Sequence, residues 1–449
     1  MGPSYTRDMR GPFFTLLLAV AMPLAAATLP LEESGFTAGP DGKPAGWTTW
    51  SARAETAPRC FVDSLISRGR PGALAISGNS NIAEHGGWHR TVAGIEPGAW
   101  YRLTAWYRSE GVAHESWQVV SRLDWKNVQG HRAAPPEYAY RARREGAWTR
   151  LTMEAPAPGD APSVELQFYL SNAPHGTVWW DDISLERIAA PPQRRATVAS
   201  ISLRPQSTKS PEKNLDLFVE AIEKLVTSKV DVILLPEAMT MIGTGKSYVD
   251  VSEPVPGPTT ARLGEVARKH RSYVVGGIFE REGSVVYNTA VLIDREGNLA
   301  GRYRKVYLPY NEIEAGLTPG NDYPVFRTDF GTVGMMICYD VFFADPARAL
   351  ATRGAEIILM PIWGGDQALA KARAIENEVY IASSGYDFPT QIMTPDGEIL
   401  AAAPQYGTAA IASIDLNARL SKPRQGNMRA RRMKELRLDV AAPLPGFEN

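Results

Sequence analysis

The sequence predicts two domains of different class: an all-β sandwich over residues 28–188 and an α/β layer domain over residues 196–449. Three observations carry that division. All but one of the 11 Trp precede residue 181, the exception being Trp363, so the aromatic character changes along the chain. The first half alternates apolar and polar residues, whereas the second sets continuous apolar runs between stretches of helical spacing. Between them, Ala189-Ala190-Pro191-Pro192-Gln193-Arg194-Arg195 pairs two prolines with polar and charged neighbours and reads as a short stiff linker, 189–195.

Ahead of the first domain, Arg7 and Arg10 precede an apolar run from Phe13 to Leu24 and then Ala25-Ala26-Ala27. This charged, apolar, small-residue order predicts a secretory signal over residues 1–27, and hence export to the periplasm or the medium. The run is about 12 residues, short of the roughly 20 that a spanning helix needs. No second long apolar stretch follows, so the mature chain is expected to cross no membrane. A formal net charge of −1 gives no basic footprint for nucleic acid. With only Cys60 and Cys338, the chain has no disulfide framework.

In the first domain, Tyr101, Leu103, Ala105 and Tyr107 alternate with Arg102, Thr104, Trp106 and Arg108. Val164, Leu166, Phe168 and Leu170 alternate with Glu165, Gln167 and Tyr169. Such strands bury one face and solvate the other. Pro97-Gly98, Pro158-Gly159 and Asn172-Ala173-Pro174 supply the turns. In the second domain, Val232-Ile233-Leu234-Leu235 is a strand buried on both faces, preceded by Leu215, Phe218, Ile222 and Leu225 at helical spacing. Further strands are expected at Tyr273–Ile278, Thr289–Ile293, Val333–Ile337, Ile357–Met360 and Tyr380–Ser383. Helices are expected at Pro346–Arg353 and Gln367–Asn377.

The composition of the second domain removes several mechanisms. His270 is its only imidazole, and it ends a predicted helix inside Arg268-Lys269-His270-Arg271. An imidazole-based triad therefore lacks its base, and one His with one Cys cannot complete a zinc site, so no metal is expected. If Cys338 is a nucleophile, its partners must be carboxylate or lysine. Glu237 follows the buried strand in Leu234-Leu235-Pro236-Glu237, Lys305 sits in Gly301–Pro309, and Cys338 ends Gly334-Met335-Met336-Ile337 ahead of a helix. Sites in open α/β sheets form at the carboxyl ends of strands. Backbone N–H groups and a nearby ammonium are expected to lower the pKa of a thiol so placed.

These residues resemble the nitrilase, or carbon–nitrogen hydrolase, superfamily. The resemblance runs through most of 196–417. It includes Pro236-Glu237, Tyr287-Asn288-Thr289-Ala290, Asp294-Arg295-Glu296-Gly297, Gly301–Pro309 and Thr318-Pro319-Gly320. It continues through Ile337-Cys338-Tyr339-Asp340, Arg353-Gly354-Ala355-Glu356 and Arg373-Ala374-Ile375-Glu376-Asn377. It implies a four-layer αββα sandwich, a cofactor-free Glu237–Lys305–Cys338 triad and assembly as a homodimer or larger. It also implies a second glutamate near the lysine. Glu312 and Glu314 both precede Thr318-Pro319-Gly320, and the offset to Gly320 favours Glu312. Tyr339 would lend a backbone N–H to the oxyanion, and Trp363 is read both as a pocket wall and as core. Cys338-Tyr339-Asp340 resembles the amidase and carbamoylase branches, so the expected substrate is a small amide or carbamoyl compound.

The first domain resembles the jelly-roll carbohydrate-binding-like modules of secreted enzymes, through Gly46-Trp47, Gly87-Trp88, Tyr101-Arg102-Leu103 and Val178-Trp179-Trp180-Asp181-Asp182. An exposed Trp or Tyr would then stack on a glycan, and Asp181 with Asp182 are candidates for a structural Ca²⁺, against the plainer reading of an acidic strand end. Two other readings stay open: acyl transfer to an amine through the same thioester, and a carbohydrate-binding protein with an inactive hydrolase domain.

Overall fold

The computed structural model describes residues 28–422, 424–437, 439 and 440. The expected secretory signal, 1–27, lies outside the described residues.

Residues 28–188 form two antiparallel sheets. One has seven strands, with Thr177–Ile188 hydrogen-bonded to Trp100–Glu110, Ala73–Ser77 and Thr28–Glu33. The other has five, in the order Trp47–Ser51, His85–Ala93, Ser163–Ser171, Val119–Lys126, Glu137–Tyr138. Alternation explains the core they share: Tyr101, Leu103, Ala105 and Tyr107 point inward with Val164, Leu166, Phe168 and Leu170. The outer face of Ser163–Ser171 departs from the expected pattern, because Gln167 and Tyr169 are buried as well. Long neighbours cover them. His89 Nε2 lies 2.5 Å from the Tyr169 hydroxyl, and the Arg122 guanidinium lies 5.0 Å from the Tyr169 ring. Trp50 lies 5.5 Å from the same ring and is itself 40% exposed. Trp47, Trp88, Trp125 and Trp180 are core residues. Asp181 spends its carboxylate on the backbone N–H groups of Arg68 and Asp182, at 2.7 and 2.8 Å. Asp182 pairs with Arg68 at 2.5 Å, so protein donors hold both acids.

The second half contains two six-stranded sheets. The first runs Leu299–Arg304, Val285–Ile293, Tyr273–Glu282, Val232–Leu234, Arg195–Ser202, Thr408–Asp415. Its opening strand begins at Arg195, inside the expected linker. The second runs Val325–Arg327, Thr332–Met335, Ile357–Gly364, Tyr380–Asp387, Gln391–Met393, Ile399–Ala402. Val198, Leu234, Val275 and Leu292 of the first sheet share a core with Met335, Met360, Ile381 and Ile392 of the second. The outer face of the first sheet packs on Phe218, Ile222, Leu263 and Val266 from the helices Pro211–Leu225 and Pro258–His270. Ala347, Leu350, Ala370 and Ala374, from Ala344–Thr352 and Gln367–Asn377, pack against the second. Helix, sheet, sheet and helix thus follow in order.

Local sequence explains where these helices start. Ser210 accepts from Lys213 N at 3.2 Å with Pro211 next in line, and Asp366 accepts from the N–H groups of Ala368 and Leu369. Near the carboxyl end, Arg429, Arg431, Arg432 and Lys434 lie on the helix Met428–Glu435 and Arg437 follows it; Lys434 is buried and its ammonium donates to Val119 O at 2.7 Å.

Candidate active site

Glu237, Lys305, Glu312 and Cys338 come together where strands of both sheets end. Glu237 follows Val232–Leu234, and the chain then turns through Ala238 at φ 51°. That turn lies against Gly277, where an added Cβ would stand 2.6 Å from Glu237 Cα; only glycine admits so close an approach. Lys305 follows Leu299–Arg304 and is held in register by donating its backbone N–H to Asn288 O at 2.9 Å. Its ammonium, fully buried, donates to Glu237 Oε1 at 3.0 Å and to Glu312 Oε1 at 2.9 Å. Asn288 Nδ2 donates to the same two oxygens, at 2.7 and 2.8 Å. Glu312 lies on the short helix Tyr310–Glu314, and Glu314 on that helix is exposed. The second oxygen of each buried glutamate has no partner among the described residues. Burial and the Glu237 charge push the Glu312 carboxyl up, against the pull of Lys305.

Cys338 opens the 3-10 helix Cys338–Phe342 at φ 45°, a left-handed conformation that costs a non-glycine residue free energy. The preceding strand stops at Met335, shorter than expected, because the chain must turn here. Asp340 fixes the turn. Its Oδ2 accepts from Ile337 N at 2.8 Å and from the Tyr303 hydroxyl at 2.7 Å, and its Oδ1 accepts from Tyr307 N at 3.0 Å. Tyr303 and Tyr307 flank Lys305, so Asp340 ties the cysteine turn to the lysine strand. Burial raises the Asp340 carboxyl to about 6. From the other side, Arg373 donates to Val341 O at 3.2 Å and to Phe342 O at 3.3 Å, with Glu376 holding its guanidinium at 2.9 Å. Glu376 and Asn377 therefore serve the scaffold. Asn377 donates to Arg373 O at 3.0 Å.

The thiol itself corrects one expectation. Cys338 Sγ donates to Gly364 O at 3.3 Å, and its pKa is pushed up to about 12. Burial is the largest cause and the Glu237 charge adds to it, while Lys305 opposes both. The lysine cannot produce the expected thiolate because two carboxylates already neutralise it. The free protein thus holds a thiol beside a carboxylate, and attack by this sulfur would require a base to take the proton at the same time. Alkylation of Cys338 by iodoacetamide, without substrate, is expected to be slow at neutral pH and to rise through about pH 10. A rate plateau below about pH 8 would contradict that order of events.

Tyr339 is the second residue of the 3-10 helix, so its N–H has no acceptor within the helix. Its ring packs 5.2 Å from Phe342. Trp363 is half-buried at the end of Ile357–Gly364, packing with Ala238, Tyr248 and Leu308 beside the carbonyl that receives the thiol. Cys60 and Cys338 are free thiols in separate cores. His270 is spent at a helix end, 3.3 Å from Glu223. Sequence reasoning missed the role of Asn288, although it lay in a quoted motif. The available signal was one amide side chain inside the apolar strand Val285–Ile293.

Residues 197–421 match the family model for carbon–nitrogen hydrolase. Among curated relatives, omega-amidase NIT2 of Bos taurus is 31% identical over 256 residues, covering 51% of this chain and 91% of the relative. A nitrilase of Pyrococcus abyssi is 32% identical over 237 residues, covering 49% of this chain and 89% of the relative. Among solved structures, Nit3 of Saccharomyces cerevisiae, a member of branch 10 of the nitrilase superfamily, has a TM-score of 0.43 and 24% identity. It covers 50% of this chain and 90% of its own.

Proposed function

The chain belongs to the carbon–nitrogen hydrolase family, and from that premise we propose that it is an exported hydrolase that cleaves the C–N bond of a small non-peptide amide through a Cys338 thioester. One observation carries the reading: a buried ammonium, Lys305, is held between Glu237 and Glu312, and the free oxygen of Glu237 is available as a base. Amidases among the relatives support the choice of bond. The Arg7-to-Ala27 segment supports export, and the jelly-roll reading of 28–188 supports a separate glycan-binding domain.

In this mechanism Cys338 Sγ attacks the amide carbon while Glu237 accepts the thiol proton. The developing oxyanion is stabilised by Lys305 and the N–H of Tyr339. Glu237 passes its proton to the nitrogen, the C–N bond breaks, and ammonia or an amine leaves. Glu237 then takes a proton from water, whose oxygen attacks the thioester carbon. The C–S bond breaks, the acid departs and Cys338 regains its proton. Glu312 and Asn288 hold the lysine and Glu237 in place throughout.

The test is mass spectrometry of the full chain after rapid acid quenching with pooled amides. A mass gain on the Cys338 peptide equal to one acyl group is the expected result. Release of ammonia with the Cys338 peptide never modified, across quench times spanning a turnover, would refute the thioester.

A further inference from the structure

The outer face of the five-stranded sheet in residues 28–188 carries a polar network that a merely solvated face does not need. Both carboxylates at its centre are engaged. Asp124 is 1% exposed and accepts from Lys126 Nζ at 2.9 Å and from Arg132 Nε and Nη2 at 2.8 and 2.9 Å. Glu165 pairs with His89 at 3.2 Å. Gln167 links the strands, its amide donating to Asp124 at 3.3 Å and its oxygen accepting from Arg122 Nε. Arg122 also reaches the Tyr138 hydroxyl at 3.4 Å, yet no carboxylate lies within ion-pair distance of it among the described residues. Burial first and the Arg122 charge second push the His85 imidazole down, so that ring adds no competing cation at neutral pH. Of the cations on this face, Arg122 alone is left without a carboxylate partner.

Trp50, on the edge strand Trp47–Ser51, is the one strongly exposed tryptophan among the described residues. It is nonetheless fixed. Its ring stacks on His89, 5.7 Å away and 12° from parallel, meets the His85 ring edge-on at 5.8 Å and flanks Tyr169. His85 Nδ1 lies 2.7 Å from the Ser171 hydroxyl, which holds that imidazole in turn. Strand pairing puts Gly87 between Trp50 and Tyr169, so no side chain separates the two rings. The Arg122 guanidinium flanks the same tyrosine. An apolar ring left in water but already held by three others loses little freedom when a ligand covers it. A protein partner would need a wider apolar centre than this single ring. A sugar needs only the one ring to stack on, with polar groups around it.

We propose that this face binds an acidic polysaccharide: Trp50 stacks on a sugar ring, and Arg122 takes the carboxylate of a uronic acid. A guanidinium matches a carboxylate with two parallel hydrogen bonds, a fit that no neutral sugar offers. One unpaired guanidinium suits one charge per sugar, whereas a densely sulfated chain would call for a row of cations. This rests on the glycan-binding reading of residues 28–188 and adds where the glycan lies and what charge it carries.

The test is binding of the full chain to soluble polymers, read by calorimetry: polygalacturonate and alginate as uronates, dextran sulfate as a sulfate ester, and galactan and dextran as neutral chains. At least one uronate is expected to bind, and to bind more weakly as salt is added. Trp50→Ala and Arg122→Met are each expected to weaken it roughly tenfold or more, the order for losing one buried apolar contact or one hydrogen bond to a charged group. Arg143→Met, at an exposed arginine of the seven-stranded sheet, is expected to leave it unchanged. Arg122→Lys keeps the charge without the fork, so its affinity is expected to fall between; it carries the test if Arg122→Met does not fold. Uronate binding that the Trp50 and Arg122 variants do not weaken, or that Arg143→Met weakens as much, overturns the inference. Tighter binding of dextran sulfate than of either uronate overturns it too. Binding of a neutral chain alone overturns the acidic ligand and leaves the glycan-binding reading standing, whereas binding of none of these polymers refutes both.

Discussion

Cys338→Ala is expected to lower kcat at least about 10⁴-fold on any amide the native protein hydrolyses, because removing a nucleophile removes the covalent route itself. The fold is expected to survive. The side chain is small, and it makes one sulfur hydrogen bond, to Gly364 O. The turn around it is held by others, namely Asp340 on Ile337, Tyr303 and Tyr307, and Arg373 on Val341 and Phe342. Thermal unfolding monitored by circular dichroism, beside ammonia release, separates the two effects. A variant that keeps a tenth of native kcat would refute the nucleophile. A variant that does not fold would refute the claim that Asp340 and Arg373 hold the turn, and the Cys338→Ser variant, closer in shape, would then carry the kinetic test. Serine keeps a donor for Gly364 O, but its hydroxyl is a much poorer nucleophile when Glu237 is the only base.

Glu237 and Cys338 were singled out in the sequence because each closely follows a strand written as a continuous apolar run. Val232-Ile233-Leu234 announces Glu237, and Met335-Met336-Ile337 announces Cys338. Glu312 was separable from Glu314 only by its offset to Gly320, whereas in three dimensions the two differ completely: one carboxylate reaches Lys305 and the other faces solvent. Asn288 was not readable as a site residue. It is one polar side chain in Val285–Ile293, and which sheet face it serves depends on pairing with Phe279, a register that the strand's own sequence does not fix. The pKa of Cys338 was misjudged because counting nearby charges ignores what those charges already bind.

That accounting makes Lys305 the residue whose loss should disturb the protein most. Lys305→Met keeps the length of the side chain and removes the ammonium. Glu237 Oε1 and Glu312 Oε1 are then left on a single donor, Asn288 Nδ2, at 2.7 and 2.8 Å. Two carboxylates sharing a dry site cannot both stay ionised. The variant is expected to lose about 3–5 kcal/mol of stability near neutral pH, the range for breaking a buried ion pair from one side. The loss should depend on pH in a definite direction. Burial already raises the Glu312 carboxyl, and Lys305 is what restrains that rise. Without the lysine the folded-state pKa climbs further above the unfolded value of about 4.3. A carboxyl raised in the folded state gives up stability as pH rises from the unfolded pKa through the folded one. The gap between native protein and Lys305→Met, measured by urea unfolding, should therefore be smaller at pH 5 than at pH 8. Adding Glu312→Gln to Lys305→Met should close part of the gap at pH 8, since it removes one of the two competing charges. A gap that is the same at both pH values, or a double variant no more stable than Lys305→Met, would mean that the ammonium does not hold these carboxylates together. Activity should fall by about 100-fold or more in the single variant, the scale for removing one oxyanion donor. The Glu312→Gln rescue should restore stability without restoring kcat, because a neutral cluster still lacks the cation that the oxyanion needs.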